Sequence, residues 1–170
     1  TGLVVGYIQS GKTLSFTTVA ALARDNEFPL IIVIAGTSIA LTNQSKNRLR
    51  ADLQLSTRND RSWRHLHNPK VRENDNIKIE SVLEDWREHA LPHSQKTSVL
   101  LTVMKNHKQL QHLIDVIDRL DLNRIPTLII DDEADQAGLN NLINQGEEST
   151  TYQKLRELKE LIPHHTFLQY

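Results

Sequence analysis

The chain has 170 residues, 20 basic and 21 acidic side chains, a formal net charge of −1 and no cysteine. This length suits one domain with a buried core, and 38% hydrophobic with 24% charged residues excludes a disordered chain. The lack of cysteine excludes disulfide scaffolds, zinc ribbons and cysteine nucleophiles, and the balanced charge excludes nucleic-acid binding driven by whole-domain charge.

Five short aliphatic or β-branched runs predict buried strands. They are Gly2–Ile8, Leu30–Ala35, Ser98–Met104, Thr127–Asp131 and Thr166–Tyr170. Apolar side chains at helical spacing predict helices over Lys12–Asn26, His107–Leu120 and Thr151–Leu161. Continuous apolar runs are typical of strands covered on both faces, so the alternation predicts an α/β fold with a mostly parallel sheet flanked by helices.

Residues 50–97 interrupt this alternation, because they are polar and hold only short apolar patches such as Ile77–Leu83. A structureless loop of this length is unusual in a compact domain. We therefore predict a single domain over residues 1–170 with a helical insertion at about 50–97. The chain begins with Thr1, directly before the first predicted strand, and we expect it to be part of a longer protein.

No segment of the sequence has the features of a membrane-spanning helix, so we predict no membrane partner. The longest apolar run, Leu30–Ala35, is far shorter than the roughly 20 residues that a membrane-spanning helix needs, and no signal peptide is visible. We predict a cytoplasmic protein.

A phosphate-binding pattern, G-x-x-x-x-G-K-[ST], follows the first predicted strand and opens a helix. Backbone N–H groups of such a loop bind phosphates together with the positive helix N-terminus, and a glycine lets the backbone approach closely. Lys12 supplies a charge for the β- and γ-phosphates of ATP, and Thr13 supplies a hydroxyl for Mg²⁺. The predicted nucleotide-binding residues are Gly6, Gln9, Ser10, Gly11, Lys12 and Thr13. The alternative is a chance glycine turn before a helix.

Four acidic residues occur together at the end of the strand Thr127–Asp131, and they are Asp131, Asp132, Glu133 and Asp135. Ligands of α/β sheets bind at this edge, and a bound Mg²⁺ would offset the mutual repulsion of the carboxylates. We assign Asp132 to the metal, mostly through water, and Glu133 to orienting and deprotonating the attacking water. The alternative is an acidic cap of a following helix.

The phosphate loop and the string Asp-Glu-Ala-Asp are similar to motifs I and II of superfamily-two helicases and translocases. The longer strings GYIQSGKT, IVIAGTSIALTNQSKNRL and LIIDDEAD resemble the Z-one domain family, endonuclease-associated, helicase-like P-loop ATPases that occur beside DNA modification and restriction-type systems. The resemblance covers essentially the whole chain and implies the first RecA-like domain, with ATP and Mg²⁺ as ligands and Lys12 and Glu133 as catalytic residues. It also implies a second RecA-like domain, absent from this chain, to which Asp135 couples.

The resemblance further implies nucleic-acid contacts. Thr37 and Ser38 follow the second predicted strand, where the family contacts a phosphate backbone, and Lys105 follows the third. An ordinary helix cap at Thr37 or Ser38 and a solvated lysine at position 105 are the alternatives. Ser38 stands where DEAD-box enzymes carry an arginine, which disfavours a DEAD-box RNA helicase.

Two weaker patterns are a basic segment and two pairs of histidines. The segment 57–72 is basic and contains Trp63, so it could follow a phosphate backbone; the alternative is a solvated face with Trp63 packed on the domain. Its basic residues are Arg58, Arg61, Arg64, Lys70 and Arg72. The paired histidines, His65 with His67 and His164 with His165, are too close for a helical i, i+4 metal site, so we predict no metal bound by histidine.

These patterns predict the ATP-binding and ATP-hydrolysing motor domain of a nucleic-acid-dependent helicase or translocase. DNA is a better fit than RNA as the partner, in a restriction, modification or defence context. An arginine finger supplied in trans is worth about 10³–10⁵ in rate, so we expect this chain alone to bind nucleotide weakly and to hydrolyse it very slowly. The alternatives are a P-loop switch ATPase without a nucleic-acid partner, a non-catalytic interaction module and a DEAD-box-like RNA helicase.

Overall fold

Every strand runs parallel to its neighbours in the computed structural model, which describes residues 1–3, 12–57, 62–88, 91–92, 95–132 and 150–170, with Lys12 and Thr13 described by backbone alone. The strands are β1 (Gly2–Leu3), β2 (Leu30–Ala35), β3 (Trp63–His67), β4 (Ser98–Met104), β5 (Thr127–Asp131) and β6 (His165–Gln169). They lie in the order β1-β6-β5-β2-β4-β3. This sheet confirms the predicted α/β class.

Helices cover both faces of the sheet. They are α1 (Lys12–Asp25), α2 (Ile39–Asp52), α3 (Asp75–Arg87), α4 (His107–Ile117) and α5 (Thr150–Leu161), and a short 3₁₀ helix spans Val71–Glu73. Side chains of α1 and α2 pack on one face, and side chains of α3, α4 and α5 pack on the other. The resulting three layers are consistent with a RecA-like domain.

The middle of the sheet explains its continuous apolar strands. All six residues of β2 are buried, and they divide by parity between two apolar clusters. Ile32 and Ile34 pack with the layer of α3, α4 and α5, whereas Ile31 and Val33 pack with α1 and α2. Alternation of polar and apolar residues is absent from this strand because neither face meets solvent.

The predicted boundaries of β2, β4 and β5 are confirmed, and β6 begins one residue earlier than predicted. Helix α4 ends at Ile117 and not at Leu120, because the N–H groups of Arg119 and Leu120 donate to carbonyls three residues back. Such bonds tighten the last turn into 3₁₀ geometry. Residues 4–8 of the first predicted strand lie outside the described residues.

The helical insertion predicted over about 50–97 is not confirmed. Within it, β3 pairs in register with β4, from Trp63 opposite Ser98 to His67 opposite Thr102, and α3 then returns the chain to β4. This segment therefore adds a strand and a helix to the main sheet. The strand was missed because its sequence, WRHLH, is polar, as an edge strand with one neighbour permits.

Two histidines of β3 share one hydroxyl. His65 Nε2 and His67 Nδ1 each lie 3.0 Å from Thr102 Oγ1 on β4. Residues two apart share a face on a strand, although they do not on a helix. Burial is the main cause that lowers the pKa of His65 from 6.5 to about 4, followed by the His67 ring and the cations of Arg50 and Lys46.

The substitution His65→Gln is expected to reduce the acid sensitivity of the fold. As the pH falls below 6.5, the unfolded chain binds a proton that the folded chain refuses until about pH 4, so stability present above pH 6.5 is lost across that interval. When the pH falls from 7 to 5, protonation of His65 in the unfolded chain should lower the free energy of unfolding by about 1–2 kcal/mol, allowing for partial exposure of the ring. Urea unfolding of wild type and variant at both pH values measures this difference.

The matched control is His164→Gln, which removes an exposed imidazole from the turn before β6. A His65→Gln protein that loses as much stability on acidification as the wild type would contradict the assignment.

Candidate nucleotide-binding site

The strands that lead toward the two predicted halves of the site end at the same edge of the sheet. Because all strands are parallel, the ends of β1 and β5 meet at one edge. The two strands are not adjacent, because β6 lies between them. Leu3 and Asp131 both pair with Gln169, so two strand spacings, about 10 Å, separate the strand ends.

The first turn of α1 lies against this edge. Ser15 Oγ is 3.3 Å from Tyr170 Oη, and the rings of Phe16 and Tyr170 meet edge to face with centroids 5.9 Å apart. The N–H of Tyr170 in turn donates to the carbonyl of Asp131 at 2.9 Å. One residue therefore joins the N-terminal turn of α1 to the end of β5.

Asp132 is held from two sides at the end of β5. Its N–H donates to the carbonyl of Ile34 on β2 at 2.9 Å, and Ser45 Oγ on α2 donates to its Oδ2 at 3.3 Å. The side chain is partly buried, so its carboxylate is oriented by α2 yet reachable at the sheet edge. A hard cation such as Mg²⁺ binds through oxygen ligands of this kind.

Several predicted site residues lie outside the described part of the chain. They are Gly6, Gln9, Ser10, Gly11, Glu133 and Asp135. Lys12 and Thr13 begin α1, and only their backbone is described. Within the described ranges there is no group of three or more histidine, aspartate or glutamate side chains placed to hold a metal ion.

Lys105 does not lie where a nucleic-acid contact requires it. Its side chain is fully buried, and its Nζ lies 2.7 Å from Oδ1 of Asp131, which is 1% exposed. Burial raises the pKa of Asp131, and the ammonium of Lys105 opposes that rise. The predicted phosphate contact by Lys105 is therefore corrected, because its charge is engaged inside the domain.

Thr37 and Ser38 connect β2 to α2. Ser38 Oγ accepts a hydrogen bond from the N–H of Leu41 at 3.3 Å and so caps α2, while Thr37 is exposed. The alternative of an ordinary helix cap thus describes Ser38. Thr37 stays a candidate contact.

The basic segment 57–72 is divided by the fold. Trp63 packs against the α1–α2 cluster, with the Arg24 guanidinium 5.4 Å from its ring centroid. Lys70 Nζ lies 3.2 Å from Glu73, and Arg72 Nε lies 4.0 Å from the same carboxylate. Arg58 and Arg61 lie outside the described residues. The position of Trp63 matches the alternative of a tryptophan packed on the domain.

Sequence reasoning missed Ser45 and Tyr170 as parts of the site. Ser45 stands on one helix face with Thr42 and Leu49, all buried, and this spacing is visible in the sequence. A buried polar residue on such a face signals a specific partner. The role of Tyr170 has no sequence signal, because it depends on the order of strands in the sheet.

Ser45→Ala is expected to weaken Mg²⁺ binding in the presence of ATP by about two- to tenfold, the effect of losing one ordinary hydrogen bond. The hydroxyl donates to the Asp132 carboxylate and so orients it. A Mg²⁺ titration of ATP binding measures the change. Thr18→Ala removes a hydroxyl that bonds within its own helix and is the matched control. Equal Mg²⁺ affinity in both variants would contradict a role for Ser45.

No protein-family model and no curated protein sequence matches this chain. None of the helices that the structure describes combines the length and apolar character of a membrane span.

Proposed function

We propose that this chain is the ATP-binding and ATP-hydrolysing motor domain of a nucleic-acid-dependent helicase or translocase. The observation that carries the proposal is the contact of α1 with the end of β5 through Tyr170. It puts the helix opened by Lys12 beside the strand that leads into the acidic motif. A helix N-terminus beside a strand that leads into carboxylates favours a phosphate bridged by a cation.

The residues fit ATP and Mg²⁺. Mg²⁺ in phosphate sites keeps several waters and takes only one or two carboxylates beside the phosphates, so Asp132 with Thr13 suffices and no larger acidic cluster is needed. Bound ATP with Mg²⁺ supplies the polarised γ-phosphate. Lys12 would hold the β- and γ-phosphates, and Glu133 would orient the water, so the protein contributes mainly position and charge.

The nucleic-acid partner, DNA before RNA, and the restriction, modification or defence context form part of the same proposal, as does a cytoplasmic location. They rest on the resemblance of the motif strings to the Z-one domain family. Thr37, exposed at the start of α2, is the candidate contact that the described structure leaves accessible.

Two measurements test the proposal. Equilibrium binding of a fluorescent ATP analogue to this chain, with and without Mg²⁺, is expected to show Mg²⁺-dependent binding that Lys12→Ala weakens by about 10-fold or more. Lys46→Ala, a lysine on α2, is the matched control. ATP hydrolysis by the full-length protein is then measured with single-stranded DNA, double-stranded DNA and RNA. The absence of nucleotide binding, or a Lys12→Ala affinity equal to wild type, would refute the nucleotide site.

One observation favours a second candidate, a P-loop switch ATPase without a nucleic-acid partner. Of the three predicted nucleic-acid contacts, Ser38 caps α2 and Lys105 is paired inside the domain. ATP hydrolysis that no nucleic acid stimulates would favour this candidate over the motor.

A further inference from the structure

The proposed ATPase mechanism gives no role to the ion pair between Lys105 and Asp131. The two charges meet at 2.7 Å with side chains 0% and 1% exposed. A buried pair of this kind contributes little net stability over a well-packed apolar pair of similar volume, because both charges lose their hydration. Stability alone therefore gives a weak reason for this arrangement.

The pair crosses the middle of the sheet edge. Lys105 follows β4 and Asp131 ends β5, and β2 lies between these strands. The N–H of Lys105 also donates to the carbonyls of Ala35 and Gly36, at 3.0 and 3.1 Å, where β2 ends. Backbone and side chain of one residue thus tie together the ends of three strands.

Apart from this ion pair, backbone hydrogen bonds hold the end of β5, and Ser45 holds the carboxylate of Asp132. The backbone carbonyl of Asp131 accepts from the N–H of Tyr170 on one side. The N–H of Asp132 donates to the backbone carbonyl of Ile34 on the other. Among the described residues, Oδ2 of Asp131 has no hydrogen-bond partner. The side chain of Asp131 is consequently oriented by Lys105, and its charge, which would repel that of Asp132, is neutralised there.

We propose that Lys105 is a positioning residue of the ATPase: its buried ion pair with Asp131 fixes the strand end from which the chain continues into Asp132 and Glu133. This inference rests on the proposed function. Lys105 then acts on the site through Asp131 and does not contact a ligand itself. A shift of about 1 Å in a catalytic group can lower a rate by about 100-fold, which sets the scale of the effect.

The test uses the full-length protein with Lys105→Met, Asp131→Asn and the double variant Lys105→Met/Asp131→Asn. Steady-state ATP hydrolysis gives kcat and KM, and thermal melting reports folding. The double variant leaves no unpaired charge, so it is expected to melt close to wild type, with kcat about 100-fold lower and KM for ATP within about threefold.

Lys159→Met is the matched control. Lys159 also faces Asp131 from α5 across a cavity of about 100 Å³, but its ammonium lies over the ring of Phe167 at 4.8 Å. Its loss is expected to leave kcat within about twofold of wild type, since it does not orient the carboxylate.

The outcomes separate the two proposals. A double variant that recovers kcat together with its melting temperature shows a structural role only and overturns the inference, as does a Lys159→Met variant with the same defect. Wild-type protein that neither binds nor hydrolyses ATP overturns the proposed function and this role with it.

Discussion

Glu133→Gln is expected to lower kcat for ATP hydrolysis by about 100- to 10,000-fold, the usual contribution of a general base, while the affinity for ATP with Mg²⁺ changes by no more than about threefold. The amide keeps the size of the side chain but cannot take a proton from water. Glu133 directly follows Asp132, whose backbone and carboxylate are held by β2 and α2. Loss of rate with retained binding is the pattern expected of a group that acts only in the transition state.

Phosphate release by the full-length protein and equilibrium ATP binding together measure this prediction. Glu157→Gln is the matched control, because Glu157 lies on α5 and pairs with Lys154 at 2.6 Å on the helix surface. A Glu133→Gln protein with wild-type kcat would remove Glu133 from the mechanism. A large loss of ATP affinity would instead indicate a role in binding.

Lys105→Met is expected to destabilise the domain by about 3–5 kcal/mol, since removing one partner of a buried pair leaves the other charge unpaired. For a domain of this size the melting temperature should fall by about 10 °C. Adding Asp131→Asn is expected to recover most of this loss. Urea unfolding of wild type, single and double variants at pH 7 measures the three free energies.

The pH dependence of the single variant gives a second check. Burial raises the pKa of Asp131, and without Lys105 nothing comparable opposes that rise. A carboxyl whose pKa is higher in the folded state gives stability at low pH that is lost as the pH rises through it. The gap between single and double variants should therefore widen with rising pH. A single variant as stable as the double at pH 7 would contradict an unpaired charge at Asp131.

The central strands could be predicted because their signal is local. Leu30–Ala35 and Thr127–Asp131 are apolar in unbroken runs, and a strand covered on both faces needs that composition. The edge strand Trp63–His67 could not be predicted in this way. It has one strand neighbour, and its polar side chains find partners such as Thr102 that only the sheet supplies.

The candidate site divides along the same line. The residue types and spacing of Gly6–Thr13 and Asp131–Asp135 indicate phosphate and metal chemistry without reference to the fold, because ligands of this kind bind to short contiguous segments. The state of a single side chain such as Lys105 does not follow from its neighbours in sequence. A lysine after a strand is solvated, bound to a ligand or buried according to what stands two strands away.

By itself, the sequence determined the α/β class and the buried central strands, and it predicts phosphate and metal chemistry for two motifs, since each of these depends on residues close together in the chain. Only the tertiary structure decided that β6 lies between β1 and β5, that Tyr170 links α1 to β5, and that Lys105 pairs with Asp131. Strand order and burial arise from contacts between distant segments, and no local pattern encodes which cation will meet which carboxylate.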